Sequence, residues 1–280
     1  WHTVATQDTR LMQHQLVQVF ALPKYMVFLN YLRCHDDIGW GLDYAFLEQF
    51  SITEIPHKAF LNAYFRGFTE DSDARGELYN DDPVRGDARL CGTTASLCGL
   101  EAAAYEKDEH KIKEALQLDL MLHAFLLSQS GIPVLYSGDE IGQENDYSYH
   151  EDDIKKVDSR YLHRGNFPWE KAEKRKKKGS IEEKIFTGLK ELEELRRKHK
   201  AFSTMADTWI IDTKNIHVLA FGRYYEGEKI LCFYNFARSE QVAYVSEVED
   251  YVDLLSGKPC KARDLSLPSH GFLWLKTSFV

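Results

Sequence analysis

His35, Asp36 and Asp37 stand together where an apolar stretch stops, in YMVFLNYLRCHDDIGW over residues 25–40. The run from 25 to 32 is aromatic and β-branched and predicts a buried strand in a parallel sheet covered on both faces. The end of such a strand is where α/β sheets present reactive side chains. A polar turn that merely closes the strand is the plainer alternative, since aspartate commonly starts turns. The three residues could also ligate a metal, but no second histidine or carboxylate cluster has ligand spacing, so no metal and no cofactor is implied. A second apolar run, 131–136, ends in Ser137-Gly138-Asp139-Glu140-Ile141-Gly142. Asp139 and Glu140 could be catalytic in their own right, but read rather as structural residues of an acidic loop.

The elements that carry these groups follow from periodicity. Helical spacing marks 4–20, ended by Leu22-Pro23, and again 110–129, a strong helix with Ile112, Ala115, Leu116, Leu118, Met121, Leu122 and Phe125. Shorter amphipathic helices are predicted over 41–50 and 56–68, with Pro56 tolerated in a first turn, and a small-residue-rich helix over 92–105. The segment between the last two, TEDSDARGELYNDDPVRGDARLCG, has the Asp, Gly, Asn and Pro clusters of a loop. The whole span 38–108, between the strand and the next main helix, is too long for a simple connection and reads as functional. Residues 143–179 form a long polar loop with a basic run, EKAEKRKKKG, that reads as solvated surface. The helix over 180–200 carries a capping box, Ser180 with Glu183, and ends in Arg196, Arg197 and Lys198. Beyond 204 the period becomes two, with strands over 208–212, 218–224, 230–236, 241–245 and 272–275 and a hairpin turn at Glu226-Gly227. Repeated short strands without helices predict an antiparallel β-sandwich.

The 280 residues are 44% apolar and 28% charged, an ordinary globular balance with ample material for a core. A net charge of −9 gives a nucleic-acid partner no electrostatic support. No run is long and apolar enough to predict a membrane span. Five cysteines without metal-type spacing imply reduced thiols and a cytoplasmic setting. The chain starts at Trp1 and enters a helix directly, which reads as the beginning of a fragment.

His35-Asp36-Asp37-Ile38-Gly39-Trp40 after an apolar strand resembles the seventh-strand motif of the α-amylase superfamily of glycoside hydrolases and transglucosidases, glycoside hydrolase family 13. Its Asp-Asp-Ile-Gly-Trp continuation looks like amylosucrases, which move glucose from sucrose onto an α-glucan. The resemblance implies that His35 and Asp36 grip the 2- and 3-hydroxyls of the transferred ring. Asp36 would be the carboxylate that stabilises the transition state. Asp37 would contact the acceptor-side sugar, and Arg89, in Gly86-Asp87-Ala88-Arg89, would reach the same side. Arg160, in Asp158-Ser159-Arg160, would close the pocket bottom against an aspartate of an early barrel loop, a partner this chain lacks. Gly138-Asp139-Glu140-Ile141-Gly142 resembles the eighth-strand motif. His57-Lys58-Ala59-Phe60-Leu61-Asn62 departs from the amylosucrase segment HRQFLN, because Lys58 cannot form a bidentate fork.

Retaining transfer needs a nucleophile and an acid/base carboxylate. Neither motif occurs here, and only 34 residues precede His35. The implied architecture is therefore the C-terminal part of a (β/α)8 TIM barrel: a barrel segment over 1–37 (helix 6, strand 7), an inserted helical subdomain over 38–108, a second barrel segment over 109–203 (helix 7, strand 8, helix 8) and a C-terminal antiparallel β-sandwich over 204–280. The implied partner is sucrose or an α-glucan oligosaccharide, with neither nucleic acid nor membrane involved. The isolated chain is expected to be inactive and, through the open edge of strand 27–32, to self-associate. The alternatives are an α-amylase or α-glucosidase that hydrolyses α-1,4-glucans, and a non-catalytic amylase-like binding protein.

Overall fold

The computed structural model describes residues 1–246, 249–261 and 263–277. They form two compact units, one of residues 1–30, 120–134 and 188–280, the other of residues 31–119 and 135–187.

In the first unit, six antiparallel strands run in the order Pro259–Lys261, Asp250–Asp253, Phe272–Thr277, Glu228–Asn235, Val218–Tyr225, Asp207–Ile210. A second antiparallel pair, Asp264–Leu267 with Gln241–Tyr244, lies over one face. Val218, Ala220, Leu231, Phe233 and Leu275 of the large sheet pack there against Ala243, Val245, Leu265 and Leu267. The opposite face is covered by Phe20, Phe125 and Phe202, whose rings meet Phe221, Tyr234 and Trp274. Cover on both sides explains why Val218–Tyr225 and Glu228–Asn235 read as nearly continuous apolar runs. Their hairpin turns at Glu226 and Gly227, with φ of 45° and 83°, as a type I′ turn requires. The five strands expected in this region are all present. Asp250–Asp253, Pro259–Lys261 and Asp264–Leu267 were not foreseen.

The apolar runs 25–32 and 131–136 differ from expectation. Only Leu29–Asn30 and Ile132–Pro133 are strands, paired in parallel with Leu29 opposite Ile132. The run is not buried either. Tyr25 is 80% exposed and Leu29 65%, and Met26, Val27 and Phe28 are exposed too. A strand pair two residues long, with no third strand beside it among the described residues, is not a barrel. The predicted helix 4–20 is interrupted as well, ending at Thr6, with Gln7 left-handed (φ 54°), and resuming over Arg10–Phe20.

In the second unit, the segment read as a loop contains a β-hairpin, Glu77–Asp82 with Asp87–Cys91. Its polar composition hides the alternation of buried Ala88 and Leu90 with exposed Asp87 and Arg89. The helix expected over 41–50 is a single turn, Tyr44–Leu47, capped by Asp43, followed by a 3-10 turn. That expected over 92–105 breaks at Gly99 into Thr94–Leu97 and Leu100–Glu106. Glu54–Phe65 and Ile181–Lys198 match their predictions within a few residues. The cap of the latter is shifted: Ser180 accepts from the Glu183 N–H at 3.1 Å, while the Glu183 carboxylate reaches Gly179 N–H.

Candidate functional site

The turn that carries His35 and Asp36 is held through its backbone. Arg33 is 2% exposed and donates Nε to the carbonyl of Gly92 at 2.8 Å and Nη2 to that of Asp36 at 2.9 Å. Arg164 donates Nε to the carbonyl of His35 at 2.6 Å. His163, also buried, approaches the same oxygen with Nε2 at 3.2 Å. The Gly92 N–H points at His163 Nδ1 from 3.3 Å, so Nδ1 carries the lone pair and the ring proton sits on Nε2. Burial, reinforced by Arg33 and Arg164, pushes the His163 imidazole down to about 3. A further tie is a two-bond bridge between Ile38 and Leu90, which fixes the segment after Asp37 to the hairpin.

With its backbone clamped, the turn turns side chains outward. His35 and Asp36 are 71% and 54% exposed and touch each other, Nε2 to Oδ2, at 3.3 Å. Asp36 Oδ1 lies 3.4 Å from Arg164 Nη2 and 3.8 Å from Arg160 Nη1. Asp37 lies deeper, its Oδ2 at 4.0 Å from Arg89 Nε. Arg89 crosses Gly39 so closely that a Cβ there would fall 2.3 Å from Nη1. Glycine at this position is what lets the guanidinium lie beside the turn.

The lack of an early-loop aspartate suggested an unpaired Arg160. The structure corrects this: Nε and Nη2 each meet an Asp158 oxygen at 2.8 Å, a bidentate pair between the short 3-10 segment Ser159–His163 and the residue that caps it. The bond from Arg160 holds the Asp158 carboxyl below its usual range, and Arg160 is raised in turn. The guanidinium also stacks on Tyr79 of the hairpin, 4.6 Å from the ring centre. Asp139 and Glu140 cap their own loop, accepting from Tyr136 N–H and Gly138 N–H.

His35, Asp36, Asp37, Arg89 and Arg160 thus lie along one chain of contacts. Arg33, His163, Arg164 and Tyr79 complete it, and sequence reasoning missed all four. The Leu162-His163-Arg164 triplet just after Arg160 was the nearest signal. Chemically the site offers one exposed carboxylate between two guanidinium groups and an imidazole, which suits hydroxyl groups needing donors and acceptors together. Cys34, His35 and Asp36 place a ligand atom each within 4.8 Å of one another. The two guanidiniums on Asp36 oppose a cation there.

Comparison with known proteins finds partial matches. Residues 210–274, most of the antiparallel sheet, match the family described as Maltogenic Amylase, C-terminal domain. The cyclomaltodextrinase of Thermoanaerobacter pseudethanolicus is 30% identical over 131 residues, which are 47% of this chain and 19% of that protein. A crystal structure of an AmyP variant in complex with maltotriose superposes with a TM-score of 0.51 at 19% identity, over 66% of this chain and 38% of that one. At that identity the likeness is one of fold. The chain spans well under half of either relative. Together these findings support the α-amylase superfamily; none of them points to amylosucrase.

Proposed function

We propose that the chain is part of an enzyme of the α-amylase superfamily that hydrolyses α-glucans. His35 and Asp36 hold the ring hydroxyls beside the bond that breaks, Arg160 closes the pocket floor, and Asp37 with Arg89 flanks the neighbouring sugar. The observation that carries this reading is the clamped turn: the backbone carbonyls of His35 and Asp36 are each gripped by a cation or imidazole, while their side chains stay exposed and in contact.

Such a pair acts by binding the flattened, oxocarbenium-like ring more tightly than the ground state. A hydrogen bond to a charged group contributes about 1.5–3 kcal/mol. Asp36 on two hydroxyls is then worth a factor of about 10² to 10⁴ in rate. The nucleophile and the acid/base must come from two further carboxylates about 5 Å apart. We assign them to parts of the enzyme outside these 280 residues. The exposed face of residues 25–29 is, on this reading, what the remaining barrel strands cover.

Hydrolysis is preferred to transfer from sucrose on two grounds. The relatives are a cyclomaltodextrinase and a protein with bound maltotriose. And Lys58, which replaces the amylosucrase arginine, is tied to Glu54 at 2.7 Å on its own helix rather than offered to an acceptor. The test is calorimetric titration with maltotriose and with sucrose, plus glucose release from maltotriose. Binding of maltotriose that weakens in Asp36→Asn, with no turnover by this chain, is expected. Preference for sucrose would overturn the glucan assignment, and robust turnover would overturn the placement of the nucleophile.

A further inference from the structure

A cleft of about 460 Å³ lies in the second unit, lined by Arg75, Glu101, Tyr105, Glu144, Asn145 and Tyr147. None of these residues belongs to the His35–Asp36 group. The volume is that of a small-ligand site. Its walls are built by a braced network. Asn145 accepts from Thr93 N–H at 2.9 Å, takes Ser96 Oγ on its own N–H at 3.0 Å, and donates its amide to the carbonyl of Arg75. Glu101 accepts from Ser96 Oγ at 2.5 Å and from the Tyr147 hydroxyl at 2.8 Å. Burial and then Glu101 keep that phenol protonated, pushed up to about 12.

Tyr105 is the exception to this economy. It stands near the end of the helix Leu100–Glu106, whose Leu100, Ala102 and Ala103 are buried, and is itself 89% exposed. The cleft thus pairs two exposed aromatic rings, Tyr105 and Tyr147, with fixed polar edges. Its charges nearly cancel, because the lining holds Arg75 as well as Glu101 and Glu144, and Glu144 is already paired with Lys171 at 3.1 Å. An ionic ligand gains little from such a site. A neutral polyhydroxyl ligand gains at both edges, its C–H faces on the rings and its hydroxyls on the carboxylates and guanidinium.

We propose that this cleft is an auxiliary binding site for neutral oligosaccharide, separate from the site that grips the ring undergoing cleavage. The identity of the sugar as an α-glucan rests on the function proposed above; the existence of the site does not. The test is NMR titration of the 280-residue chain with maltotriose, comparing wild type with Tyr105→Ala, Tyr105→Phe and Asp36→Asn. Two groups of shifting signals are expected, one around Tyr105 and Tyr147, the other at 34–37. Tyr105→Ala should weaken the first group tenfold or more and leave the second, while Tyr105→Phe keeps both. Asp36→Asn should do the reverse. Its exposure makes Tyr105 safe to replace without unfolding. Shifts at the cleft that ignore Tyr105→Ala, or no shifts there at all, overturn the proposal. Shifts at the cleft with none at 34–37 sustain it and overturn the catalytic-site reading instead.

Discussion

Acid should loosen the site through His163, and the size of the effect follows from its surroundings. In the folded protein the imidazole is neutral down to about pH 3. In the unfolded chain it takes a proton near 6.5. Between those values the unfolded state binds one more proton, so stability falls as pH falls, by about 1.4 kcal/mol per unit. The contribution is intact above 6.5, about 2 kcal/mol is lost by pH 5, and the ceiling near pH 3 is about 5 kcal/mol. The cause is visible in the geometry: protonated Nδ1 would face Gly92 N–H, donor against donor, with Arg33 and Arg164 nearby. His163→Gln keeps one donor and one acceptor and removes the titration. Urea unfolding between pH 5 and 7.5 can be followed on the indole N–H signal of Trp40. That group is buried in the same unit and bonded to Asn62 at 2.7 Å. The variant should lose about 1–2 kcal/mol at pH 7.5 from poorer geometry, and its pH dependence should be shallower than wild type by about one proton. His270 is also pushed down, to about 4, but contributes equally to both proteins. Parallel pH profiles would refute the assignment of a neutral, load-carrying His163.

Two other substitutions probe separate features. Arg223 is fully buried in the sheet unit, where its guanidinium serves the carbonyls of Ala201, Ser128 and Ser203 and the hydroxyl of Ser130. Arg223→Met should cost about 3–5 kcal/mol by stranding those acceptors, and a thermal-unfolding loss under about 1 kcal/mol would contradict this. Gly39→Ala should push the Arg89 guanidinium away from Asp37, since the intruding atom meets the far end of a flexible side chain. Stability should change by less than about 1 kcal/mol. An unmoved Arg89 in a crystal structure of the variant would show that Gly39 is not what makes room for it.

The sheet unit was legible because its signals are local and mutually consistent. Apolar runs at 218–221 and 230–236 flank Glu226-Gly227, and hairpin turn chemistry between such runs admits few alternatives. Asp264–Leu267 carried the same alternation, Leu265 and Leu267 inward and Asp264 and Ser266 outward, but over too few residues to stand out. Residues 25–32 show the opposite failure. Their composition is that of a buried strand, yet composition states only what a segment would gain by burial. The partners that would bury it must exist elsewhere, and among the described residues only Ile132–Pro133 pairs with it.

The site divides along the same line. His35, Asp36, Asp37, Arg89 and Arg160 could be named as candidates because each stands in a local motif that resembles one of the α-amylase superfamily. Arg33, His163 and Arg164 act on backbone carbonyls, and a carbonyl has no residue identity to recognise. Any residue at 35 or 36 would offer the same oxygen, so no spacing in the chain announces that it needs a donor. Yet those donors decide what the motif can do. The carbonyl of His35 is met by Arg164 and His163 and that of Asp36 by Arg33, while the side chains of both remain mostly in solvent. A turn held that way can lose a side chain without losing its shape, whereas loss of a clamp such as Arg33 should move both side chains together.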